Sequence, residues 1–281
     1  MNIYDIAKEA GVSISTVSRV LNDKGYVSAK TKARIQEVLK RNKYQPSAIA
    51  RGLVSGTMKN VAIVTVDVRH PHYAMTTFIM EQKLTGLGYM VLVCNTGAKK
   101  EECMKYLRML SRNQVEGVIL VGSEFNELCD PDELSQLLPE TPIVMANGEL
   151  KLPSVQSILV DEGYGVQLAV QHLYDRGHRN ISFVMDTQKD AAVRKRNGFL
   201  MKMKQFGYDD AKERILYTGY GVEGGEQAAK QIVGDARRYD AAIFTEDLTA
   251  IYAMNTLQNM GYRIPEDIAV IGCNNSEYSR I

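Results

Sequence analysis

The chain has 281 residues, 45% hydrophobic and 24% charged, enough for more than one core, and it contains no stretch of about eighteen apolar residues that could cross a bilayer. Its net charge of +1 hides a division: residues 1–60 hold 11 Lys/Arg against 4 Asp/Glu, a balance of +7, while the remainder carries −6, the footprint of a duplex-binding head on a neutral-to-acidic body. Cys94, Cys103, Cys129 and Cys273 lack metal-ligand spacing, and Met1 opens directly into a helical pattern rather than a leader, so reduced thiols, no metal, no membrane and a cytoplasmic location are expected.

In chain order, Asn2 can cap a helix whose apolar positions Ile3, Ile6, Ala7 and Ala10 recur at three- and four-residue spacing. Gly11 stops it, and Ser13 caps a second helix with Val17, Val20 and Leu21 inward and Ile14, Ser15, Thr16, Ser18, Arg19 and Asn22 outward. Two short helices joined by a Gly turn, the second with a small polar face, read as a helix-turn-helix rather than an ordinary helical hairpin. Ile14 and Ser15 are slim enough to reach base edges, and Arg19 can hold a guanine or a phosphate. Ser28 caps a third helix, Ala29 to about Asn42, with Ile35, Val38 and Leu39 inward and a row of Lys and Arg outward. Tyr44-Gln45-Pro46 ends it, and the seven residues Ser47 to Leu53 are too few for a stable isolated helix, so they read as an interdomain linker or a segment that becomes helical only on DNA.

The runs IAKEAGVSISTVSRVLN and VSAKTKARIQEVLKRNKYQPSAIARGL resemble the DNA-binding headpiece and hinge of the LacI/GalR family of bacterial transcription regulators. The resemblance implies a homodimer on a roughly palindromic double-stranded operator. It implies phosphate contacts from Tyr4, Ser13, Thr16, Ser18, Asn22 and Ser28, which position without specifying. It also implies paired hinge helices in the minor groove, with Leu53 wedged between base pairs.

From Asn60 onward, apolar runs at Val61–Val66, Met90–Cys94, Val118–Val121 and Ile143–Met145 alternate with helical patterns. A second set begins with Ile158–Val160 and continues through Ile181–Met185, Ile215–Tyr217, Ala241–Phe244 and Ile268–Ile271. Buried strands alternating with crossover helices mean parallel doubly wound sheets, here in two lobes with a cleft at the strands' carboxyl ends. The expected fold class is therefore an all-α helix-turn-helix headpiece plus hinge, followed by a two-lobed α/β domain. The expected divisions are a headpiece over 1–45, a hinge over 46–59, and an effector-binding and dimerisation domain over 60–281 with lobes of about 60–157 and 158–281.

AVQHLYDRGHRNISFV and MGYRIPEDIAVIGCNN resemble the same family's effector-binding core, which is similar to periplasmic sugar-binding proteins. The resemblance places an effector site on Tyr73, Tyr220, Glu246, Asp247 and Asn274, with Lys195 where many relatives have arginine and Gly272-Cys273-Asn274 where many have Gly-Phe-Asp or Gly-Tyr-Asp. These changes remove a bidentate donor and a charged acceptor. A neutral sugar, a sugar phosphate held by Arg194-Lys195-Arg196, or a phosphoprotein partner remain open. Relatives continue past this point, so a shortened reading frame is expected to leave apolar surface and a sheet edge uncovered.

His178, between a helix and a strand, reads as a structural cap, and His70 and His72 do not make a metal site. The competing class is a small-molecule-binding protein or enzyme with a non-functional head. Against it, no nucleophile elbow, P-loop, zinc signature or dinucleotide fingerprint occurs, so neither enzymatic activity nor a cofactor is expected.

Overall fold

The computed structural model describes residues 2–44 and 57–280 and divides into two compact units, Met1–Lys59 and Asn60–Ile281. Most of the expected hinge, including Leu53, lies outside the described residues.

Among its described residues the first unit holds three helices, α1 (Ile3–Ala10), α2 (Ile14–Leu21) and α3 (Ala29–Arg41). Each begins where a short polar side chain satisfies free backbone donors. Asn2 Oδ1 accepts from the Tyr4 and Asp5 amides, and Asp5 returns a bond from its carboxylate to the Asn2 amide, a complete capping box. Ser13 and Ser28 accept from the Thr16 and Thr31 amides in the same way. Gly11, at φ 58°, takes the left-handed turn that ends α1 and lets α2 fold back. Ile6, Ala7, Ala10, Val17, Ile35 and Val38 are the buried core, with Val20, Leu21 and Leu39 packed at its edge.

The second unit contains two parallel sheets. The first has β1 (Asn60–Thr65), β2 (Met90–Asn95), β3 (Gly117–Val121), β4 (Ile143–Ala146) and β5 (Val155–Ile158) in the order β2-β1-β3-β4-β5. It alternates with α4 (Pro71–Gly86), α5 (Lys100–Arg112), the short α6 (Phe125–Leu128) and α7 (Pro131–Leu137). The second sheet has β6 (Ile181–Met185), β7 (Ile215–Tyr217), β8 (Ala241–Phe244) and β9 (Ala269–Ile271) in the order β7-β6-β8-β9. Its helices are α8 (Glu162–Asp175), α9 (Asp190–Gln205), α10 (Gly221–Gly234) and α11 (Asp247–Asn259). Every residue of β1, β6 and β8 is buried, as expected of central parallel strands covered on both faces. Two helix pairs cross closely: a Cβ on Gly198 would overlap the Gly163 backbone between α9 and α8, and one on Gly225 would lie 2.7 Å from the Ala253 amide between α10 and α11.

One strand differs from expectation. The apolar run Ile158–Val160 does not open the second sheet. The strand is Val155–Ile158, paired in register with β4 at the edge of the first. An edge strand needs no continuous apolar run, and Ile158, Leu159 and Val160 are 65%, 54% and 60% exposed. Among the described residues no helix is long and apolar enough to cross a membrane.

Candidate functional site

In the first unit, the face of α2 turned away from the core carries Ile14, Ser15 and Arg19 exposed, with Thr16, Ser18 and Asn22 half-buried beside them. The hydroxyl of Ser13 lies 2.8 Å from those of both Ser15 and Thr16, and Asn22 Nδ2 donates to the Ser18 carbonyl at 2.9 Å. The face is thus held by its own short hydrogen bonds, with small groups leading and one guanidinium behind. Tyr4 is 66% exposed at the start of α1. Ser28 spends one hydroxyl contact on its cap. Tyr26 is 90% exposed in the turn between α2 and α3. Of the basic row on α3, Lys32 pairs with Asp23 at 2.7 Å and Arg41 pairs with Glu9.

In the second unit, the carboxyl ends of β1, β3, β6 and β8 feed the loops that face one another between the lobes. Side chains bridge there. Asn126 Nδ2 donates to Asp190 at 2.6 Å, Ser123 Oγ accepts from the Ala191 amide at 3.4 Å, and Asn147 both donates to Glu162 at 2.8 Å and accepts from Arg194 at 3.1 Å. A cavity of about 550 Å³ lies among His72, Asn147, Glu162, Lys195, Cys273 and Asn274, with Val121, Ile158, Val160 and Ile271 as its apolar wall.

The expected effector residues mostly converge. Lys195 and Asn274 line the cavity. Lys195 is 5% exposed, and its Nζ donates to the Thr245 carbonyl at 3.0 Å and lies 3.5 Å from Glu162. Burial opposes its charge, but Cys273, Glu162 and Glu246 outweigh that and hold the ammonium above its ordinary range. Burial also pushes the Cys273 thiol up to about 11. Asn274 donates to Glu246 at 2.6 Å, and Glu246 Oε2 lies 3.9 Å from His70 Nε2. His70 in turn stacks on Tyr220 at 5.0 Å and tilts against Tyr73 at 4.9 Å. Tyr73 donates its hydroxyl to Glu124 at 2.8 Å. Asp247 is different: it is buried and accepts from the Ser276 amide at 2.6 Å, so its carboxylate ties the chain after Asn274 to α11.

The cleft gathers the carboxyl groups of Glu124, Glu162, Asp186 and Glu246 around Lys195. Burial, reinforced by Asp186, pushes Glu246 up to about 8 despite Lys195. Burial lowers both His70 and His72. Asp186 accepts from the hydroxyls of Thr245 and Thr249 at 2.6 and 2.7 Å. The three consecutive basic residues do not converge on one point: Lys195 is buried in its pairs, Arg194 holds Asn147, and Arg196 turns to Asn197. Sequence reasoning missed Glu124, Asn147, Glu162 and Asp186 because each sits alone in a loop or at an element end, with no spacing to mark it. His178 Nδ1 lies 3.4 Å from Asp240, at the entry to β6. Among the described residues no group of three His, Cys, Asp or Glu is placed to hold a metal ion.

Comparison with known proteins agrees with both halves. Residues 2–47 match the model for bacterial regulatory proteins of the lacI family, and residues 170–281 match a periplasmic binding protein-like domain. The chain is 32% identical over 278 residues to an HTH-type transcriptional regulator of Lachnoclostridium phytofermentans, covering 98% of this chain and 84% of that one. It is 30% identical to the HTH-type transcriptional repressor PurR of Mannheimia succiniciproducens, covering 99% and 83%. Its fold superposes on the lac repressor bound to ONPG with a TM-score of 0.85 at 22% identity, covering 99% and 84%. With a helix-turn-helix head followed in the chain by a two-lobed α/β body, and with relatives of 30% identity or more along nearly its whole length, the chain belongs to the lacI family of bacterial regulatory proteins and is a DNA-binding transcription regulator, not an enzyme.

Proposed function

We propose that the protein is a cytoplasmic repressor that binds a palindromic operator as a homodimer, and that a small, hydroxyl-rich effector without phosphate in the interlobe cleft controls it. The division of labour is a headpiece over 1–45, a hinge over 46–59 and an effector-binding and dimerisation body over 60–281. Ile14 and Ser15 read base edges, Arg19 takes a guanine or a phosphate, and Tyr4, Ser13, Thr16, Ser18, Asn22 and Ser28 position the head on the backbone. Leu53 is the minor-groove wedge. In the body, Tyr73, Lys195, Tyr220, Glu246 and Asn274 surround the effector, while Asp247 supports their loop from behind.

The observation that carries the effector class is the pairing of Lys195 with Thr245 and Glu162. The buried cation that a phosphate would need already serves a carboxylate, and further carboxylates stand nearby. A related regulator, CelR, 26% identical with a TM-score of 0.64, has been solved with cellobiose. Effector occupancy shifts the lobes and the hinge equilibrium, a coupling that requires about 1–3 kcal/mol to act as a switch.

The test is selection of bound duplexes from a random pool at fixed salt, followed by operator binding with and without a panel of neutral saccharides and their phosphates. A two-fold symmetric consensus whose affinity changes with a neutral saccharide is the expected result. Half-sites without symmetry defeat the dimer, and a response confined to phosphorylated sugars defeats the effector class.

A further inference from the structure

The corner of the cleft around Glu246 has chemistry more specific than hydroxyl recognition. Glu246 is mostly buried, with 20% of its side chain exposed. Its direct partner in the protein is the neutral amide of Asn274, and Asp186 adds to the negative potential around it. His70 is held neutral by burial. His70 Nε2 lies 3.9 Å from the Glu246 carboxyl group, beyond hydrogen-bond distance, and Nδ1 is buried without a hydrogen-bond partner. The rings of Tyr73 and Tyr220 flank the same imidazole, and aromatic faces attract a cation.

A mostly buried carboxyl group with no cation in direct contact, beside a neutral imidazole and two tyrosine rings, points to a single kind of group. We infer that the effector presents a protonated amine to the corner formed by Glu246, His70, Tyr73 and Tyr220, beside the hydroxyls read elsewhere in the cleft. This rests on the reading of the cleft as the effector site. The ammonium satisfies two needs at once: it pairs with Glu246, drawing it out of the protonated form that burial otherwise favours, and it lies beside the Tyr73 and Tyr220 rings. Lys195 does not fill that role, because its Nζ is bonded to Thr245 and turned toward Glu162. An anionic group at this corner would face Glu246, Asp186 and Glu124 together.

Three probes of nearly equal shape separate charge from shape: tris(hydroxymethyl)aminomethane, which is cationic, pentaerythritol, which is neutral, and 2,2-bis(hydroxymethyl)propionate, which is anionic. Each is titrated into the full chain by calorimetry in a non-amine buffer, with hydrogen exchange locating the protected segments. The amine is expected to bind at least about tenfold tighter than pentaerythritol, a ratio equivalent to about 1.4 kcal/mol, and to protect the segments around residues 70–73 and 220. Glu246→Gln, checked for folding by its melting transition, and Tyr220→Leu are each expected to reduce that preference. Equal affinity for the amine and pentaerythritol, or preference for the carboxylate, overturns the amine while leaving the cleft as the effector site. Protection outside the cleft overturns both, and the absence of binding by all three probes overturns the amine, the neutral-saccharide panel then deciding the cleft separately.

Discussion

The ammonium of Lys195 lies 3.5 Å from the carboxylate of Glu162, with 7% and 12% of the two side chains exposed. The pair links α9 to α8, and Lys195 Nζ also donates to the carbonyl of Thr245 beyond β8. Removing one partner of such a buried pair leaves the other charge without compensation, which costs about 3–5 kcal/mol, whereas replacing both with apolar groups can be close to neutral. Lys195→Met is therefore expected to lower the melting temperature markedly, and Lys195→Met combined with Glu162→Leu to recover most of the loss. Additive losses in the double variant, measured by thermal unfolding, would show that the two charges are not coupled.

Glu246 sets a pH dependence of opposite sign to that of an ordinary paired carboxylate. Burial raises its folded value to about 8 from 4.5, so between those limits the folded chain holds a proton that the unfolded chain has lost. Its contribution to stability is fully present below about 4.5, declines as pH rises through the window, and is gone above about 8. Glu246→Gln removes this dependence, so its stability relative to the parent is expected to improve from pH 6 to pH 9. Denaturant unfolding of both proteins at the two pH values measures it, and parallel curves would contradict the assignment.

The caps at Asn2, Ser13 and Ser28 and the stop at Gly11 were legible in the sequence because each is a contact within three or four residues. The central strands were legible because full burial demands a continuous apolar run. Val155–Ile158 was not, since an edge strand can alternate polar residues, and the apolar run that follows it is exposed. Tyr73, Lys195 and Asn274 were placed by resemblance, but what they bond could not be. Tyr73 and Glu124 are separated by 51 residues and Asn274 and Glu246 by 28, so their pairing is a property of the assembled sheets. The basic triplet at 194–196 misled for the same reason: adjacent residues on a helix point in different directions.

Gly198 allows α9 to touch α8, and a Cβ there would overlap the Gly163 backbone. Backbone cannot move aside as a flexible side chain can, so Gly198→Ala is expected to force the helices apart and cost about 1–3 kcal/mol or more. Gly165→Ala is the control: it lies on α8 with no atom within 4 Å of the added carbon. Equal melting temperatures for the two variants would show that the crossing is looser than this.

Leu53→Ala is expected to weaken specific operator binding far more than non-specific binding, because a wedge acts only on the kinked site. Equal losses on operator and random duplex, titrated at one salt concentration, would remove the wedge from the mechanism.

Ile14 and Ser15 lead the exposed face of α2, while the core beneath it depends on Val17 with Ile6 and Ile35. Replacing the leading pair, for example Ile14→Val with Ser15→Ala, leaves that core and the Ser13 cap in place. The expected effect is therefore on which bases are preferred, with about 1–3 kcal/mol redistributed at the contacted positions. Phosphate-dependent binding remains, so the salt slope stays close to that of the parent. Selection from a random duplex pool with parent and variant compares the two consensus sequences directly. A changed half-site with an unchanged salt slope assigns base reading to these residues, and an unchanged half-site transfers it to Arg19.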